Sequence, residues 1–79
     1  MKKVLTRIHG IITPAEWAED ASVKAVSIAT NDEQEYFVKN VGKGKAFLRM
    51  AQKIVDVEGL VTRNRKGQNL IEIKSYRIV

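Results

Sequence analysis

No cysteine occurs anywhere in this 79-residue chain, and His9 is its only histidine. A chain of this length buries only ~60% of the surface that its unfolded form exposes, so its stability margin is small. Neither a disulfide nor a structural zinc site of the usual kinds can form from these residues. The core therefore has to close without cross-links, and a closed β-barrel does this while removing exposed sheet edges. We expect one domain over residues 1–79, with no metal and no cofactor.

Alternating and β-branched runs predict five strands, over residues 4–13, 23–30, 34–40, 54–63 and 68–78. Gly42 and Gly44 end the third run, and a helix of about two turns is predicted near residues 44–52, with Phe47 on its buried stripe. The segment Thr13–Glu16 has the spacing of a capping box with proline at the first helical position. It predicts a single helical turn or a tight loop after the first strand, carrying Trp17 and ending at Glu19 and Asp20.

Two segments, Ile8–Thr13 and Val57–Thr62, share one pattern in which a glycine lies third between apolar residues and a threonine lies last. A glycine inside a strand is costly unless it marks a bulge or a bend. Long strands in small barrels need such corners. Gly10 and Gly59 are therefore predicted to mark matching bends in two neighbouring strands.

In the order of these elements the chain resembles small single-domain proteins of the oligonucleotide/oligosaccharide-binding (OB) fold. The resemblance covers residues 4–79 and rests on Val57–Val61, on the hairpin into Ile71–Ile73, and on Glu35–Val38 before a Lys-Gly helix start. It implies an all-β protein with one short helix: a five-stranded OB-type barrel with the helix between strands 3 and 4. Cold-shock proteins are not matched, because their second strand carries aromatic residues and this one carries none.

The chain has a net charge of +5, with 14 lysines and arginines against nine acidic residues. Such a balance favours polyanionic partners. In OB folds that bind oligonucleotides, the loop between the fourth and fifth strands flanks the binding face. Arg63, Asn64, Arg65 and Lys66 occupy that predicted hairpin, where cations suit phosphates and an amide suits a base edge. Hairpin tips are also polar in proteins that bind nothing there.

Aromatic side chains serve as stacking platforms for single-stranded nucleic acids. Tyr36 and Phe37 must point to opposite faces of their strand, and the sequence leaves open which of them faces the core. If Val38 is in the core, Phe37 lies outside, beside small residues of the second strand. Trp17 is either a lid over one end of the barrel or a base-stacking residue.

The favoured hypothesis is a nucleic-acid-binding module for single-stranded DNA or RNA with weak sequence selectivity. The alternative is a protein-interaction or assembly module that joins a protein partner or a second copy of the chain and has no nucleic-acid role. The candidate nucleic-acid-binding residues are one aromatic and six cations: Lys24, Phe37, Lys39, Arg63, Arg65, Lys66 and Lys74.

Few residues of this sequence could take part in catalysis. A general base at His9 would need a carboxylate that the sequence alone does not place. The segment Gly42–Ala46 lacks both the earlier glycine and the hydroxyl residue of a phosphate-binding loop. Arg7 interrupts the first apolar run, and no run approaches the ~18 residues of a membrane span. We therefore expect a cytoplasmic protein that is not an enzyme and does not enter a membrane.

Overall fold

The computed structural model describes residues 3–79, and its strands form a closed barrel. The strands are β1 (Val4–Trp17), β2 (Val23–Thr30), β3 (Glu35–Val38), β4 (Ile54–Arg63) and β5 (Asn69–Ile78). They neighbour one another in the order β1-β2-β3-β5-β4, and β4 pairs with β1 to close the sheet. The β3–β5 pair is parallel, and the other pairs are antiparallel. The predicted five-stranded barrel, with one short helix between strands 3 and 4, is confirmed.

Inward-facing aliphatic side chains fill this barrel, and the ring of Phe47 from the helix completes the core. Burying each such side chain contributes roughly 1.5–3 kcal/mol relative to leaving it in water. Because successive side chains of a strand alternate between its faces, the intervening residues form the outer surface. The buried aliphatic residues are Ile8, Ile12, Val26, Ile28, Val55, Val57, Ile71 and Ile73.

The glycines in the two matching segments lie where one strand passes close to a neighbouring backbone. Gly10 and Ile11 are the residues of β1 that pair with both β4 and β2. A Cβ atom on Gly10 would overlap the carbonyl oxygen of Ala29. Gly59 adjoins a register shift between β4 and β5, and a Cβ atom there would overlap the carbonyl oxygen of Glu72. Both positions therefore require glycine, although the two glycines are not opposite each other in the β1–β4 register.

The helical turn predicted from Thr13 is wrong, because β1 continues to Trp17, and the chain turns only at Glu19 and Asp20. The Thr13 hydroxyl does not cap a helix: it lies 3.0 Å from the Ser27 hydroxyl on β2. Pro14 lies in the part of β1 that pairs with β2 alone, next to a register shift. Proline is tolerated at such edges and bulges because a ladder hydrogen bond is not needed there.

The helix also differs from its prediction over residues 44–52. It is a 3₁₀ helix over Gly42–Arg49. A 3₁₀ helix has three residues per turn, so side chains three positions apart lie above one another. Gly44 and Phe47 are buried and Met50 packs against the core, which is this spacing of three. The tighter helix therefore directs that row into the barrel.

The third strand is shorter than the predicted residues 34–40, since β3 ends at Val38. Lys39 nevertheless continues beside β5, because its amide donates to the carbonyl oxygen of Ile71 at 2.9 Å. Within residues 3–79, no helix has the length and apolar character needed to cross a membrane.

Candidate nucleic-acid interface

Phe37 lies on the outer surface of the barrel. Its neighbour Tyr36 packs against the core, so the alternation of the strand turns Phe37 outward. Phe37 is half-buried and pairs with Ser27 of β2 on one side and with Leu70 of β5 on the other. The open question of which ring faces the core is thereby answered.

The surface around Phe37 extends toward β5 rather than across β2 as predicted. Ser27 is fully buried, and its hydroxyl donates to Glu35 at 2.7 Å, so it offers no open platform. Leu70 lies on the other side of Phe37 and is partly exposed. We call the outward residues of these two strands, together with Lys39 directly after β3, the β3–β5 face; they are Phe37, Lys39, Leu70, Glu72 and Lys74.

Glu72 lies among lysines that come from three separate parts of the chain. The Nζ atom of Lys74 lies 2.9 Å from Oε2 of Glu72. The hydrogen bond and charge of Lys74, together with the charges of Lys3 and Lys39, hold the pKa of Glu72 below its ordinary value. Glu72 is therefore ionised at neutral pH. The structure thus brings two of the candidate cations, Lys39 and Lys74, close to Glu72.

The other cations of the candidate site are on the β4–β5 hairpin. Arg63, Arg65 and Lys66 are exposed there. Asn64 does not present its amide to a base edge: its Oδ1 atom accepts hydrogen bonds from the backbone amides of Lys66 and Gln68, each at 2.9 Å. The side chain of Asn64 forms the turn that holds the three cations outward.

This hairpin lies at the end of the barrel where β3 begins, because β5 runs parallel to β3 from Asn69 beside Tyr36. Lys24 is at the start of β2, which runs antiparallel to β3, so it lies toward the opposite end. The structure therefore separates Lys24 from the hairpin. Trp17 is 60% exposed at the end of β1 and is not a lid over the barrel.

A shallow groove of about 570 Å³ lies on another part of the outer surface, across β1, β4 and β5. There His9 Nδ1 lies 2.5 Å from Oδ1 of Asp56, and Arg77 Nη2 lies 3.0 Å from Oδ2 of the same carboxylate. Arg7 contacts Glu58 at 2.9 Å beside them. The carboxylate partner of His9 thus exists. Arg7 pairs with Glu58 and Arg77 pairs with Asp56, which is the chemistry of an ion-paired surface network.

Sequence reasoning missed Leu70 and Glu72 as members of the β3–β5 face, and Lys3 as a cation that acts on Glu72. Their signal is non-local, because only the parallel pairing of β3 with β5 brings Leu70 beside Phe37.

Among the residues that the structure describes, no group of three or more histidine, aspartate or glutamate side chains is arranged to hold a metal ion. No known protein family, curated protein sequence or solved structure matches this chain.

Proposed function

We propose that this protein is an OB-type binding module for single-stranded nucleic acid and not an enzyme. The observation that carries the proposal is the β3–β5 face, where one outward aromatic ring lies beside an apolar neighbour and among cations. Phe37 is the stacking platform, Leu70 extends it, and Lys39 and Lys74 bind the backbone. Stacking on an aromatic ring combined with a cationic backbone track is the usual way in which single strands are bound without strong sequence preference.

The fold and the charge also support this proposal. The barrel order with a helix between strands 3 and 4 agrees with the OB resemblance, in which the β4–β5 loop flanks the ligand. Arg63, Arg65 and Lys66 are the exposed cations of that loop. The net charge of +5 favours approach of a polyanion. A cytoplasmic location goes with this proposal.

The salt dependence of binding tests the hairpin. Roughly four phosphates neutralised on one face give a slope of log affinity against log salt near −3, a loss of about 50-fold between 50 and 200 mM salt. Replacing Arg63, Arg65 and Lys66 by glutamine should flatten this slope by roughly 2 and weaken binding to all sequences alike. The measurement is a fluorescence anisotropy titration of labelled oligo-dT and oligo-rU.

A matched control removes three cations from the 3₁₀ helix instead. Lys43, Lys45 and Arg49 are exposed there, so their triple glutamine variant has the same net charge of +2 (5 − 3) as the hairpin variant. It should keep the parent slope. If both triple variants lose affinity equally, net charge and not the hairpin governs binding. If the parent shows no saturable binding at about 50 mM salt, the nucleic-acid proposal is wrong.

Stacking on Phe37 is tested separately from charge. Phe37→Ala should cost roughly 1–3 kcal/mol of binding free energy with little change in the salt slope, because stacking releases no counterions. Trp17→Ala is the comparison, since Trp17 is a 60% exposed aromatic at the end of β1 and is the other candidate stacking residue. Thermal unfolding followed by circular dichroism shows that both variants remain folded. Equal losses from the two substitutions would contradict a platform at Phe37.

A protein-interaction module is the second candidate. It is favoured by exposed apolar side chains at the barrel surface, among them Leu5 at 59% and Trp17 at 60% exposure. Scattered exposed apolar residues are common on monomers, so they weigh less than the β3–β5 face. Analytical ultracentrifugation across a concentration series tests self-association directly.

A further inference from the structure

Glu72 is an acidic residue in the middle of the surface proposed to bind a polyanion. Its register partner on β4 is Leu60, and it lies two residues beyond Leu70, the cross-strand neighbour of Phe37. Two residues of a strand span about 6.6 Å on the same face. The Glu72 carboxylate therefore lies close enough for the edge of a base stacked on Phe37 and Leu70 to reach it.

The contacts of Glu72 leave part of the carboxylate open to a ligand. Lys74 contacts its Oε2 atom, and within residues 3–79 its Oε1 atom accepts no hydrogen bond. The side chain is 27% exposed. Lys74 first, and then Lys3 and Lys39, hold the pKa of Glu72 below its ordinary value, so at neutral pH the carboxylate accepts hydrogen bonds and cannot donate one.

An ionised carboxylate distinguishes bases by their hydrogen-bond donors. Cytosine presents an amino group at N4, which a glutamate accepts, whereas thymine presents the acceptor O4 at the equivalent position. The two pyrimidines have rings of the same size, so stacking on Phe37 separates them little. The Glu72 carboxylate is therefore repelled by the O4 atom of thymine, whereas it accepts a hydrogen bond from the N4 amino group of cytosine.

We propose that Glu72 is a specificity-determining residue that makes the β3–β5 face prefer bases carrying an exocyclic amino group, cytosine above all, over thymine or uracil. This inference rests on the proposed function and adds the class of base that the site accepts. Lys39 and Lys74 neutralise the phosphates on either side of the base, and the same lysines keep the carboxylate that reads the base edge ionised.

The experiment compares oligo-dC and oligo-dT of ten nucleotides at about pH 7.5 and 50 mM salt, where Glu72 is ionised. The parent should bind oligo-dC about tenfold more tightly than oligo-dT, the size expected for one hydrogen bond to a charged group. Glu72→Gln should reduce this ratio to about one, because an amide both accepts from cytosine N4 and donates to thymine O4.

Glu58→Gln is the matched control. Glu58 is also an outward carboxylate with one ion-paired oxygen, 2.9 Å from Arg7, and its side chain is 33% exposed. Both variants have a net charge of +6 (5 + 1), so both should bind oligonucleotides somewhat more tightly at low salt. Only Glu72→Gln should lose the preference for oligo-dC.

The outcomes separate this inference from the function on which it rests. Saturable binding of both oligonucleotides with a ratio near one in the parent overturns the role of Glu72 and leaves the proposed function intact. A preference that persists in Glu72→Gln, or that disappears equally in Glu58→Gln, also overturns it. If neither oligonucleotide binds the parent, the proposed function is wrong and the base preference falls with it.

Discussion

Asp56 connects three strands of the barrel through one carboxylate. It lies on β4 and accepts hydrogen bonds from His9 on β1 and from Arg77 on β5. The hydrogen bond from His9 first, and then that from Arg77, hold the pKa of Asp56 below its ordinary value of 3.8. The folded state therefore favours the ionised carboxylate more than the unfolded chain does.

This linkage predicts how stability depends on pH. A carboxylate with a lowered folded pKa stabilises the fold above its unfolded pKa, and the contribution is lost as pH falls through the folded pKa. Asp56→Asn should lower the urea midpoint at neutral pH, and its difference from the parent should narrow in acid. Glu19→Gln, at an exposed acid, is the control. A difference in urea midpoint between Asp56→Asn and the parent that stays constant with pH would contradict this linkage.

Among the secondary-structure elements, the 3₁₀ helix covers the core. Phe47 is 0% exposed, and its ring meets that of Tyr76 edge-to-face, with centroids 4.9 Å apart and an interplanar angle of 86°. Such aromatic pairs contribute beyond the area they bury. The helix itself is too short to be stable without this packing.

Removing this ring should therefore destabilise the whole barrel. Phe47→Ala is expected to cost roughly 3–5 kcal/mol, much of the stability of a small domain. Phe47→Leu, which keeps most of the apolar volume, should cost less. The measurement is chemical denaturation of both variants against the parent. A Phe47→Ala protein with the same denaturant midpoint as the parent would show that the helix does not support the core.

At the scale of the whole molecule, the barrel closes through strand pairs of unequal length. β1 pairs with β4 over eight residues, whereas β3 pairs with β5 over three. The short parallel pair is also the one that forms the candidate binding face. Regions with few backbone hydrogen bonds open at lower free energy than the long central ladders.

Native-state hydrogen exchange should resolve this difference. The amide of Lys39, bonded to the carbonyl oxygen of Ile71 across the β3–β5 pair, should exchange faster than the amide of Val57 in the middle of β4. Saturating oligonucleotide should slow the exchange of Lys39 more than that of Val57, because the ligand spans both strands of the short pair. Equal protection of the two amides in the free protein would contradict the expectation that the β3–β5 pair opens at lower free energy than the long strand pairs.

Much of the fold was predictable because alternation and turn residues are local properties. The predicted bounds of β2 and β4 agree with the structure, and Gly10 and Gly59 mark close backbone approaches. Local sequence signals gave a wrong prediction where a neighbouring strand offered a competing hydrogen-bond partner. The Thr13 hydroxyl fits a helix cap in isolation, but β2 provides Ser27 as its partner. The spacing of Gly44 and Phe47 indicates a 3₁₀ turn only once the direction of the core is known.

Local sequence patterns specify most of the strands, and the composition specifies the surplus of positive charge. Which side chains meet depends on how the strands pair in the closed barrel. His9 and Asp56 are 47 residues apart, and Lys39 approaches Glu72 through a parallel strand pair that no hairpin specifies. The physical reason is that alternation is set by consecutive residues of one strand. The neighbours across a barrel depend on strand order and stagger, which are settled when the whole sheet closes.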